Sequence, residues 1–145
     1  MKIPQYKGQI LATAASFIGV CGGISSYFVP AKYMSVDINP SVMMTINIYN
    51  RVINTKPLND DAEILLSKTD VSGMSVSESM DELIKKSEEI GYLNEHNKDV
   101  IVEVVDGIGK IKLPDKNYGD VEVIIENADK ADLKNAKEMG VSIAK

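Results

Sequence analysis

The chain has 145 residues and a formal net charge of −5, with 44% hydrophobic residues; that length suits one modest domain plus one anchor. From Ala31 onward 14 basic residues face 21 acidic ones, and an acidic domain with no clustered basic stripe argues against nucleic acid or anionic lipid as its partner. The single cysteine, Cys21, excludes an intramolecular disulfide and leaves the redox compartment undetermined.

The first predicted element is a membrane helix. Gln9 to Val29 carries no charge, and 21 helical residues span roughly 30 Å, about the hydrocarbon thickness of a bilayer. Lys2 and Lys7 precede it and only Lys32 follows closely, which favours a cytoplasmic N-terminus and an external C-terminal domain. The alternative is a cleaved signal peptide, for which the apolar run is long. Ala15, Gly19 and Gly23 recur every four residues; such a row would let two membrane helices self-associate. The expected organisation is a cytoplasmic stub at 1–8, a transmembrane helix at 9–29 and an extracytoplasmic domain at 30–145. Lipid contact would be confined to the helix.

Beyond the anchor the pattern alternates between strand and helix. Tyr33 to Ile38 predicts a short strand, stopped by Asn39-Pro40. In Ser41 to Ile48, Val42, Met44, Ile46 and Ile48 share one face at period two. Tyr49-Asn50 predicts a two-residue hairpin turn. Arg51 to Thr55 then forms the return strand, ended by Pro57. Asn59 predicts the N-cap of a short helix, with Asp60 and Asp61 at its positive end. Ser75 and Glu78 form a capping box for a helix running to Ile90. Its apolar stripe is Val76, Met80, Leu83, Ile84 and Ile90, and Gly91 suits the C′ position. Asp99 to Val105 is a β-branched run that predicts a buried strand, and Val121 to Ile125 predicts another. Asp129 to Met139 predicts a closing helix stopped by Gly140. The fold class is α+β: one N-terminal transmembrane helix followed by a small mixed sheet with helices packed on it.

Conventional chemistry is sparse. His96 is the only histidine and sits in the polar loop Asn94 to Lys98, so no zinc site is expected. Asp60, Asp61 and Glu63 lack the alternating oxygen ligands and mid-loop glycine of a calcium loop. Gly107-Ile108-Gly109-Lys110 lacks the other elements of a phosphate loop. Ser72, Ser75, Ser77 and Ser79 have no base nearby and read as loop and capping residues. No cofactor and no metal are expected, and no turnover enzyme.

Asn39-Pro40 is the exception. As a dipeptide it is an ordinary turn signal. In a sheet it invites other chemistry. Proline has no N–H, so attack of the following backbone nitrogen on the Asn39 side chain is closed. The reverse attack stays open: the side-chain nitrogen can reach its own carbonyl carbon, close a succinimide and expel the prolyl nitrogen. A strained turn would hold that geometry, and Asp37 is the nearby candidate to assist proton transfer.

Val36-Asp37-Ile38-Asn39-Pro40-Ser41 resembles the opening of the extracytoplasmic domain of RsgI-type transmembrane anti-sigma factors of Bacillus- and Clostridium-like bacteria. The likeness continues at Arg51-Val52-Ile53, at Leu58-Asn59-Asp60-Asp61, in the helix from Ser75 to Gly91 with Tyr92-Leu93, and at Lys134 to Ser142. It covers most of residues 10–145. The resemblance implies self-cleavage at Asn39-Pro40 with the two pieces staying associated. Their separation would then permit intramembrane proteolysis and release of a sigma factor. It also implies two partners, an intramembrane protease and a sigma factor bound through a cytoplasmic domain missing from this chain. Two departures stand out. Almost nothing precedes the apolar segment where the family carries that domain, and the region Gly107 to Gly119 is short. Two rival readings remain: a membrane-tethered extracellular binding domain with an uncleaved Asn-Pro turn, and a secreted module whose signal peptide is removed.

Overall fold

The computed structural model describes residues 23–105, 111, 118–127 and 138. Five strands form one sheet: β1 (Pro30–Asp37), β2 (Ser41–Asn47), β3 (Val52–Pro57), β4 (Asp99–Val105) and β5 (Glu122–Asn127). Two helices, α1 (Asp60–Lys68) and α2 (Val76–Ile90), lie between β3 and β4 in sequence. The strand order is β3-β2-β1-β4-β5. All neighbours are antiparallel except β4 and β5, which are parallel.

This order puts β1 in the middle of the sheet. Val36 faces Val42 of β2 on one side and Val102 of β4 on the other. Met34, Val36, Met44, Ile46, Val100 and Val102 point to one face and join Ala62, Leu65, Val76, Met80, Leu83 and Ile84 of the helices in the main core. Met34, Met44, Leu65 and Leu83 are fully excluded from solvent, and each such side chain contributes roughly 1.5–3 kcal/mol of transfer free energy. On the opposite face Met43 and Val105 form a smaller cluster with Tyr33 and Leu58. The period-two reading of β2 therefore holds for Val42, Met44 and Ile46. Ile48 is exposed, because the strand has ended and the turn has begun.

The helix signals act as their chemistry requires. Asn59 is extended at φ −149°, and its side chain accepts the Ala62 N–H. The capping box of α2 is complete: Ser75 accepts from Glu78, and Glu78 accepts from the Ser75 N–H. Gly91 closes the helix in the left-handed region at φ 93°, where a side chain is disfavoured. β5 is an outer strand and mostly exposed, with only Val123 half-buried. The expected helix over Asp129 to Met139 and the glycine turn from Gly107 to Lys110 lie outside the described residues, apart from Glu138.

The N-terminal membrane helix requires correction. Among the described residues no helix is long and apolar enough to cross a membrane. Residues 9–22 of the expected span, with Ala15 and Gly19, lie outside the described residues. Its final part belongs to the folded domain. Residues 23–27 make a short helical segment, and β1 opens at Pro30. That segment is tied to the β2–β3 hairpin by polar groups. The Ser26 Oγ and the Tyr49 hydroxyl lie 2.8 Å apart, and Asn47 Nδ2 donates to the Tyr27 carbonyl at 2.9 Å. The Tyr27 and Tyr49 rings stack with centroids 6.4 Å apart. An uncharged window records the lack of charge only. Ser25, Ser26 and Tyr27 carry hydrogen-bonding groups, and Pro30 cannot continue a helix.

Candidate functional site

The site is the turn joining β1 to β2. Asp37 pairs with Ser41 across the hairpin, leaving Ile38, Asn39 and Pro40 as the connection. The Ile38 N–H donates to the Pro40 carbonyl at 2.8 Å and closes the turn. Ile38 and Pro40 are buried shoulders, while Asn39 stands exposed between them. Asn39 adopts φ 56°. Asn is among the few residues that visit this left-handed region, yet a following proline further restricts the backbone before it. The turn therefore stores conformational strain.

The three residues singled out in the sequence come together here. Asp37 is half-buried, and its Oδ1 accepts the Asn39 N–H at 3.2 Å and the Ser41 hydroxyl at 2.8 Å. The Asp37 carboxylate thus clasps the turn from beneath. Among the described residues the Asn39 side-chain amide has no hydrogen-bond partner, so its nitrogen is not held elsewhere. Proline at 40 supplies a bond with no N–H on its nitrogen.

Two contacts of the turn escaped the sequence reading. Asn97 Nδ2 donates to the Ile38 carbonyl at 3.1 Å and to the Tyr92 carbonyl at 2.9 Å. Asn59 Oδ1 accepts the Ser41 N–H at 3.2 Å in addition to capping α1 through Ala62 at 2.9 Å. The cap of α1 is readable from local sequence. Its second bond is not, because Ser41 lies 18 residues away. Asn97 is one polar residue among several in the loop before β4, and no local pattern marks it.

Elsewhere the candidates serve structure. His96 is exposed, with its N–H bonded to the Asn94 side chain. Asp60, Asp61 and Glu63 occupy the first turn of α1, and Asp61 also accepts the Tyr92 hydroxyl at 3.1 Å. Burial, aided by that acidic neighbour, raises the Tyr92 phenol above its ordinary range. Ser79 is buried and back-bonds to the Val76 carbonyl, and Ser72 donates its N–H to Asp70. Among the described residues no group of three or more His, Cys, Asp or Glu could hold a metal ion. An open groove beside α2, lined by Arg51, Gly73, Glu78 and Lys85, lacks the Asn39 turn. Its Arg51–Glu78 pair, at 3.2 Å, is solvent-exposed and contributes little.

Comparison with known proteins places this chain in a family. Residues 31–145 match the model of the anti-sigma factor RsgI-like central domain, a match that begins at the second residue of β1. The chain is 28% identical to the anti-sigma-I factor RsgI7 of Acetivibrio thermocellus, over 94% of this chain and 28% of the relative. It is 39% identical to RsgI5 of the same bacterium over 48% of this chain and 15% of the relative. Identity to the anti-sigma-I factor RsgI of Bacillus subtilis is 32%, over 50% of this chain and 19% of the relative. The chain thus spans under a third of the length of these relatives. The chain belongs to the RsgI-like anti-sigma factor family, through its central domain.

Proposed function

We propose that this domain is the signal-transmission segment of an RsgI-like anti-sigma factor, and that it cuts itself once, between Asn39 and Pro40. The observation that carries the reading is Asn39 at φ 56° ahead of a buried proline, in a turn closed on both sides. In the step proposed, Asn39 Nδ2 attacks the Asn39 carbonyl carbon. A C–N bond forms to close a succinimide, the bond to the prolyl nitrogen breaks, and the proton lost by Nδ2 passes to that nitrogen. Water later opens the succinimide. Release of strain favours the forward direction. Asp37 holds the turn by its two hydrogen bonds and is the candidate to assist the proton transfer.

The position of β1 supports a two-piece device. A cut after Asn39 would leave β1 on one fragment, still laddered to β2 and β4 of the other. Removing β1 would expose Met34 and Val36 and split the core. Each hydrogen bond contributes only about 1 kcal/mol net, but burial on top of two ladders makes the resting pair stable. Separation under load would then permit intramembrane proteolysis and release of a sigma factor. In this reading the domain lies on the extracytoplasmic side, and the sigma factor binds another part of a longer protein. The family name and the relatives' names, all anti-sigma factors, support that partner.

Intact-mass measurement on freshly purified chain tests the cut. The expected result is two species, one ending at Asn39 and one beginning at Pro40, which co-elute in native buffer and part in denaturant. A single full-length mass after prolonged incubation at neutral pH would leave an uncleaved interaction domain as the reading.

A further inference from the structure

The Asn39 turn is held at both flanks by side chains from remote elements. On the upstream side Asn97, 59 residues away, donates to the Ile38 carbonyl at 3.1 Å. That carbonyl belongs to the peptide that joins Ile38 to Asn39. On the downstream side Asn59, 18 residues away, accepts the Ser41 N–H at 3.2 Å. That N–H belongs to the peptide that joins Pro40 to Ser41. Each bond sits one peptide away from Asn39–Pro40. A left-handed residue before proline relaxes by rotating its neighbours, and such strain persists only when the surroundings over-determine the backbone. Here each of the two neighbouring peptides is held by a remote side chain, and the Ile38 N–H donates across the turn to the Pro40 carbonyl at 2.8 Å.

We propose that Asn59 and Asn97 are positioning residues for cleavage at Asn39–Pro40, which rests on the self-cleavage reading above. Neither touches the reacting atoms. They clamp the peptides on either side so that the turn cannot relax away from the attack geometry. Both belong to the larger fragment, which explains how a bond near one end of the domain requires the whole fold. Asn59 reports that α1 has docked, and Asn97 reports that the loop ahead of β4 has closed. Cleavage would therefore follow folding and would not run in an unfolded chain.

The test is a cleavage time course on full-length chain made by cell-free translation, followed by intact mass and denaturing gels. Asn97→Asp keeps the size of the side chain and removes the donor. Asn59→Ser keeps a good N-cap and is too short to reach the Ser41 N–H. Each should slow cleavage by about tenfold or more, since small displacements of a reacting group carry losses of that order. Asn59→Asp keeps the acceptor and should restore the rate. Leu83→Ala, buried in α2 and outside the hydrogen bonds that hold the turn, is the control: it should lower the denaturant midpoint more than Asn59→Ser does, yet cleave at the wild-type rate under folding conditions. Wild-type rates in both Asn97→Asp and Asn59→Ser would overturn the proposal and leave self-cleavage standing. So would a Leu83→Ala chain that slows as much as they do, which would reduce their role to stability. A wild-type chain that stays intact, indistinguishable from Asn39→Ala, would overturn both.

Discussion

The sheet contains two hairpin turns that each hold an asparagine in the left-handed region, with different chemical prospects. Asn39 lies in the β1–β2 turn at φ 56°, and Asn50 lies in the β2–β3 turn at φ 58°. In each, a side-chain oxygen at the strand end accepts two groups from the turn. Asp37 accepts from the Asn39 N–H and the Ser41 hydroxyl, and Asn47 accepts from the Tyr49 and Arg51 N–H groups. The turns differ in the residue after the asparagine and in the partner of its amide. Asn50 precedes Arg51, whose N–H is bonded, and its side chain accepts from Lys32 Nζ. Asn39 precedes a proline, and among the described residues its side-chain amide has no hydrogen-bond partner. Left-handed strain is thus common to both turns. An asparagine followed by proline, with no hydrogen-bond partner for its side-chain amide among the described residues, belongs to one.

The largest expected effect separates the turns directly. Asn39→Ala should abolish the two fragments, because no nitrogen remains to close the ring. Asn50→Ala should leave the same fragments at the same yield, with none ending at residue 50. Intact mass decides, and fragments surviving in Asn39→Ala would defeat the mechanism. Pro40→Ala should come next. It restores a secondary amide and frees the preceding backbone, so cleavage should slow several-fold while the hairpin persists.

The comparison extends to stability. Met34→Ala, in the strand that leads to Asn39 and fully buried, should cost roughly 2–5 kcal/mol in urea melts. In cleaved protein it should also lower the urea concentration at which the fragments part. Asn47→Ala strips the other turn of its acceptor and should cost about 1–3 kcal/mol without changing the cleavage rate. A cleavage defect in Asn47→Ala would mean the turns are coupled and the comparison is too simple.

The smallest effect is electrostatic and distant from both turns. Hydrogen bonds from the Ser75 backbone and hydroxyl hold Glu78 below its ordinary value of 4.5. Its folded value is depressed, so its contribution to stability is present above the unfolded value and fades as pH falls through the folded one. Carboxyl NMR should find the Glu78 midpoint below 4.5, and Ser75→Ala should raise it. The cleavage rate should not follow that titration.

Much of the fold is legible in local pattern. Asn59, Ser75, Glu78 and Gly91 carry their capping roles within four residues of their partners, and the α2 stripe follows from helical period alone. β1 is longer than its pattern suggests, beginning at Pro30, because β2 supplies pairing partners beyond Tyr33. The β2–β3 connection is wider than two residues, because Asn47 bonds across it. The end of the expected membrane helix is corrected for a related reason. Absence of charge suggests affinity for lipid, while Ser26 and Tyr27 find polar partners in a hairpin 20 or more residues on.

By itself the sequence determined the composition of the Asn39-Pro40 turn and the two helices: an Asn with a side-chain nitrogen, a proline with no N–H, a carboxylate two residues upstream, and two capped segments. These depend on covalent chemistry and on neighbours within one turn of chain. Only the tertiary structure decided that β1 is central and that Asn59 and Asn97 flank the Asn39–Pro40 bond. Strand order and remote hydrogen bonds arise from which apolar faces bury together, and that is a property of the closed core and not of any window of residues.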